Sequence, residues 1–213
     1  EQLQQFGKKE FFYLKQNALV AKRGERYYRY TTVADNSSWN SRVDHMKETV
    51  FRLLAFYREQ FLLDTNAKGI VWAHNTHVGD ARATDMQQAG MVNIGQLARE
   101  SLGKDEVYIV GFGTNQGKVM AGSSWGSEPI EMTVPPAIAG SFEQLLSQLD
   151  EPAFALFFDD SQLVNLLQKP LGHRAKGVVY DPSNERANYV RTVVPSRYNA
   201  FIFFEKTEAV HNL

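Results

Sequence analysis

Short apolar runs alternate along this chain with segments of helical periodicity, and that alternation restricts what it can fold into. Strands and helices in alternation bury their apolar faces best as a three-layer α/β arrangement, a parallel-rich central sheet flanked by helices. The runs lie at residues 70–73, 107–112, 154–158, 177–180 and 200–204. Helical spacing is read at residues 2–19, where Phe6, Phe11, Leu14 and Leu19 are core candidates. It is longest at 38–63, where Val43, Met46, Val50, Leu53, Leu54, Tyr57 and Phe61 recur on one face. Asn36 or Ser37 suits the start of that helix, Asn93 caps a shorter one that Gly103 stops, and Ser141 caps a third. No repeat, low-complexity tract or linker divides residues 1–213, which read as one domain or part of one.

Composition narrows the function classes. The formal net charge is −1 with Lys and Arg scattered, which argues against a nucleic-acid footprint. The absence of cysteine removes disulfides and thiolate metal sites. No apolar run approaches the roughly 20 residues of a membrane-spanning helix. Composition does not fix the compartment; a cytoplasmic location is the working expectation. The chain begins at Glu1 rather than Met, so a leader or a whole N-terminal region can precede it.

Chemistry concentrates where the first apolar run stops, at Ile70-Val-Trp-Ala-His74-Asn75-Thr76-His77-Val78-Gly79-Asp80. Lys68-Gly69 is a turn, and residues 70–73 read as a buried strand. Open α/β sheets bind ligands beyond the carboxyl ends of their strands, which places His74 to Asp80 in binding position. Imidazole titrates nearest neutrality and moves protons there. Two other readings stay open. Both rings can simply be satisfied by backbone carbonyls. Alternatively, His74 and His77 with Asp80 or Asp85 can ligate a divalent metal, although H-x-x-H in a loop lacks the one-face geometry of H-E-x-x-H on a helix. Upstream, Arg42 and His45 lie three apart and share one side of the long helix, a solvated face or a functional one.

Two further motifs fail on context. Gly122-Ser-Ser124-Trp-Gly126 matches the G-x-S-x-G nucleophile elbow, but Ser127-Glu-Pro129 and a strand-like alternation follow where the elbow needs a helix. Gly111-Phe-Gly113-Thr-Asn-Gln-Gly117-Lys118 misses both phosphate-loop spacings and reads as a turn.

The stretch from Val71 to Asp80 resembles the hallmark motif of the erythromycin esterase family. Other segments agree in order. Arg42-Val-Asp44-His-Met46 resembles its R-x-x-x-M helix, Asn93-Ile-Gly-Gln-Leu its G-x-x-L helix, and Val107-Tyr-Ile-Val-Gly-Phe the next strand. Gly177-Val-Val-Tyr-Asp181-Pro and Arg197-Tyr-Asn-Ala-Phe-Ile-Phe resemble its closing segments. The resemblance runs from about Arg42 to the C-terminus.

That resemblance implies a hydrolase that opens esters, including macrolide lactones, through histidine-assisted attack of water and with no cofactor. His74 and His77 fall on its second histidine motif as catalytic candidates, His74 for proton transfer or water positioning and His77 to orient or bind. Arg42 falls on its helix arginine, a substrate or oxyanion contact, and Asn75 and Asp80 are further substrate-binding candidates. Family members also carry an N-terminal G-E-x-x-H-G motif with the main catalytic glutamate and histidine. Here Gly24-Glu25 is followed by Arg-Tyr-Tyr, without the histidine. The chain therefore reads as the C-terminal part of an erythromycin-esterase-like domain whose partner is its own N-terminal part. A metal-dependent hydrolase and a non-catalytic binding domain of the same fold are the alternatives. Because no helix follows the elbow-like serine, Ser124→Ala in the whole protein should leave ester turnover within a few-fold of wild type. Complete loss with an intact fold, or labelling of Ser124 by a fluorophosphonate, would restore a serine nucleophile.

Overall fold

Two long helices open the chain in the structure, a computed structural model that describes residues 7–33, 35–61 and 68–210. Helix α1 (Lys8–Tyr30) runs through the Tyr-rich passage and packs on α2 (Ser37–Phe61). The Phe12 and Phe56 rings stack at 4.0 Å, and Arg23 pairs with Glu48 across the hairpin. Helix α1 buries no residue fully, and Leu14, a core candidate on spacing, is half exposed. Phe6 and the end of the 38–63 segment lie outside the described residues.

The order that follows is α3 (Asn75–Val78), α4 (Ile94–Leu102), β1 (Val110–Ala121), β2 (Ile130–Val134), α5 (Phe142–Ser147), β3 (Ala153–Phe157), α6 (Ser161–Leu166), β4 (Leu171–Arg174), β5 (Tyr189–Thr192), α7 (Val194–Arg197) and β6 (Ala200–Thr207). Asn93 and Ser141 cap α4 and α5 through their side chains, as their residue types require. The main sheet has the order β2-β1-β6-β3. Its central pair, β1 with β6, is parallel, and both outer pairs are antiparallel. Strands β4 and β5 form a separate antiparallel ribbon. The fold is α/β, with parallel pairing confined to the middle of a mixed sheet. Among the described residues, no helix is long and apolar enough to cross a membrane.

Three segments differ from what their patterns predict. Residues 111–118 are strand, not turn. Phe201 on β6 and Tyr198 press against the glycines of β1, and a Cβ on Gly113 would stand 2.5 Å from Phe201 Cζ. The glycines make room for rings; they do not turn the chain. Residues 177–180 form only an isolated parallel bridge, Gly122 to Val179. Residues 70–73 belong to no strand, with Ile70 94% and Trp72 86% exposed. A strand is held by its ladder, and no described strand pairs with this one. Trp72 instead lies 5.6 Å from the Phe112 ring.

The core gathers between α5 and β6: Phe142, Val194, Tyr198, Phe201 and Phe203 are almost completely buried. Burying one such phenylalanine contributes about 1.5–3 kcal/mol. Overpacking is therefore costly at the ring contact. Gly113→Ala should destabilise the protein by about 1–3 kcal/mol in urea unfolding. Adding Phe201→Leu should recover part of that loss, and strictly additive effects would remove the ring contact as the cause.

Candidate active site

His74 and His77 stand at the two ends of a single helical turn. His74 caps α3: its Nδ1 accepts the Thr76 backbone N–H at 3.2 Å and lies 2.7 Å from Thr76 Oγ1. A nitrogen that accepts an N–H carries no proton, so the neutral ring holds its proton on Nε2. The ring also bonds the backbone of Lys176, which engages its second nitrogen. The residue is exposed to solvent, yet surrounding polypeptide desolvates its ring. That burial pushes the pKa below the ordinary histidine value; the Lys176 carbonyl opposes the shift, and Arg197, His173 and Lys176 reinforce it.

His77 is held differently. Its ring stacks on Trp39 of α2 with centroids 5.0 Å apart and planes 12° from parallel. The Arg42 guanidinium lies over the same indole, 5.1 Å from the ring centroid. Trp39 is anchored by its own Nε1, which donates to the Val92 carbonyl at 2.7 Å. His77 Nδ1 and Arg42 Nε are buried without a hydrogen-bond partner. Burial first, then Arg42 and His74, depress the His77 pKa, so this imidazole is neutral at pH 7 with a lone pair to offer.

The tertiary structure thus groups His74, His77 and Arg42, and it turns Asn75 and Asp80 to other work. Asn75 clasps the backbone of β1, donating to the Phe112 carbonyl at 2.6 Å and accepting its N–H at 3.2 Å. Asp80, 4% exposed, spends its carboxylate on two arginines rather than on either imidazole. It accepts from Arg82 Nη2 at 2.7 Å and from Arg99 Nη1 at 3.2 Å. Arg99 in turn donates to the Ser196 carbonyl and the Asn199 amide oxygen, before β6. Asn93, fully buried, binds the carbonyls of Thr76 and Gly79 and accepts the Gln96 N–H. Gly95 closes the joint, since a Cβ there would fall 2.0 Å from the Val78 carbonyl oxygen.

A second polar cluster lies behind His74, and sequence spacing did not point to it. His173 on β4 is fully buried, with Nδ1 2.5 Å from Glu143 and Nε2 3.0 Å from the Tyr198 hydroxyl. Arg174 donates to the carbonyls of Thr114, Asn115 and Pro135. Arg197 binds Thr192 Oγ1 and the Asn75 carbonyl. The available signal was the dense His173-Arg174-Ala-Lys176 run just before residue 177. The elbow-like Gly122–Gly126 segment is a turn from β1 into β2, with no helix after it. Among the described residues, no three His, Asp or Glu side chains gather as a metal-ligand set.

The model of the erythromycin esterase family matches residues 1–207. The chain belongs to that family. The match extends upstream of Arg42 and takes in α1. A Bacillus cereus protein shares the fold with a TM-score of 0.74 at 17% identity, covering 94% of this chain and 46% of that one. A succinoglycan biosynthesis protein gives 0.62 at 18% identity, with 81% and 39% covered. An erythromycin esterase, the EreC mutant in its open conformation, gives 0.51 at 18% identity, with 84% and 40% covered. The chain spans less than half the length of each.

Asp80 links this joint to pH. Burial alone would raise its carboxyl, but the bonds from Arg82 and Arg99 override burial and hold it below the ordinary carboxylate value. A depressed carboxyl stabilises the fold at pH values above the unfolded pKa of about 3.9, and the contribution disappears as pH falls through the folded value. Asp80→Asn should therefore cost about 3 kcal/mol at pH 7, the scale for leaving a buried cation unpaired. It should also flatten the acid side of the stability curve. An unchanged curve would show that Asp80 does not carry that dependence.

Proposed function

We propose that this chain supplies part of the active site of an ester hydrolase in which neutral imidazole assists the attack of water on an ester or lactone carbonyl. The observation that carries the reading is the unpartnered, buried Nδ1 of His77, held on Trp39 beside Arg42. A general base needs a pKa below the working pH and a fixed ring, and His77 has both, with its Nδ1 committed to no hydrogen bond. His74 is the ring that caps α3 and sets the start of the turn carrying His77. Arg42 is a cation that cannot lose its proton, suited to a substrate carboxylate or to the oxyanion that forms on attack. Family membership supports hydrolase chemistry. The similar solved chains are more than twice as long, and in this proposal the whole protein draws further catalytic groups from that additional length.

A depressed base pKa gives a definite sign. With the proton off at pH 7, kcat/KM should be flat near neutrality and fall only as pH drops below about 6.5, the unperturbed histidine value. His77→Gln in the whole protein should lower hydrolysis of a lactone or simple ester by about two orders of magnitude. Arg42→Lys should lose more than charge alone explains, because an ammonium replaces a planar guanidinium. Turnover of His77→Gln within a few-fold of wild type, with the fold intact, would remove this ring from the mechanism.

A further inference from the structure

Residues 89–93 hold two segments of the candidate site at once. On the side of α2, Asn36 donates its amide to the Ala89 carbonyl, and Asn40 donates to the Gly90 carbonyl at 2.9 Å. Asn40 Oδ1 also accepts the Val92 N–H at 3.0 Å, and the Trp39 indole N–H donates to the Val92 carbonyl at 2.7 Å. Asn93 reaches the other way and binds the Thr76 and Gly79 carbonyls of the α3 turn. One short stretch of backbone therefore fixes Trp39 and the turn that carries His77 against each other.

Where the two meet, the indole is the contact that base and cation share. The His77 ring stacks on it with planes 12° from parallel, and the Arg42 guanidinium lies 5.1 Å from its centroid. Among the described residues, neither the His77 nor the Arg42 side chain makes a hydrogen bond or an ion pair. Side chains without directional bonds are oriented by packing. Here the packing surface is a large ring that is itself hydrogen-bonded. The face of an indole also attracts cations, so it suits both the guanidinium and the imidazolium that His77 becomes on taking a proton.

We propose that Trp39 is a positioning residue for the hydrolysis: its indole, fixed by residues 89–92, sets the plane of the His77 imidazole and seats the Arg42 guanidinium beside it. The inference rests on the esterase reading above. Trp39 makes and breaks no bond. It acts through His77 and Arg42, so on a neutral substrate its loss slows the chemical step and leaves binding nearly as it was.

A double-mutant cycle in the whole protein reads that dependence. On a neutral ester or lactone, Trp39→Leu should lower kcat about 10- to 100-fold, with KM within a few-fold of wild type. Trp39→Phe keeps a ring face and gives up the indole N–H, so it should recover most of that loss. Added to His77→Gln, Trp39→Leu should cost far less than it does alone, because the ring it aligns is gone. Wild-type kcat in Trp39→Leu, equal losses in Trp39→Leu and Trp39→Phe, or fully multiplicative losses in the cycle would overturn the role. A second measurement needs no Trp39 variant. In wild type carrying isotope-labelled histidine, the His77 ring protons, assigned by their loss in His77→Gln, should be shifted upfield by the indole ring current. Ordinary histidine positions would overturn the role as well. Wild-type turnover in His77→Gln would bring down the base reading and this role with it. A loss of about 100-fold in His77→Gln beside an unaffected Trp39→Leu would remove the positioning role alone.

Discussion

The buried pairing of Asp80 with Arg99 lets a loop hold imidazoles in defined positions. The carboxylate closes the histidine segment from below, and the guanidinium reaches on to Ser196 and Asn199, where α7 gives way to β6. One ion pair thus joins the candidate site, α4 and the central strand. Removing either partner leaves a buried charge behind, which is far more destabilising than loss of an exposed pair. Asn93 and Gly95 complete the joint from α4. The amide satisfies two loop carbonyls, and the missing side chain lets the backbones approach.

Cations act on both rings beside that joint. Arg42 faces His77, and Arg197 and Lys176 face His74. Burial and these charges act in the same direction on both rings and keep them neutral at physiological pH. The same field favours negative charge on a bound molecule. In the hydrolysis we propose, such charge develops on the carbonyl oxygen, so the arrangement that readies the proposed base would also stabilise what it helps to form.

Much of the fold was legible along the chain. Asn93 and Ser141 cap where short polar side chains should, the 38–63 periodicity becomes α2, and residues 154–158 and 200–204 become neighbouring strands. Capping and periodicity are local, and neighbours in sequence decide them. Glycine is ambiguous at that range. Gly111 and Gly113 read as turn residues, yet they lie inside β1 because aromatic rings from β6 and Tyr198 need the space. The apolar run 70–73 announces a need for burial without saying what buries it.

For the candidate site, the sequence by itself determined the family and the pairing of His74 with His77 on one short segment. Those are properties of residue order. Only tertiary structure decided which imidazole keeps a free nitrogen, because Thr76, Lys176 and Trp39 reach the two rings from different elements. It likewise withdrew Asn75 and Asp80 into structural bonds and brought Lys176, about a hundred residues away along the chain, to the back of His74. Hydrogen bonds and desolvation act over a few ångströms of space. Sequence distance carries no record of them.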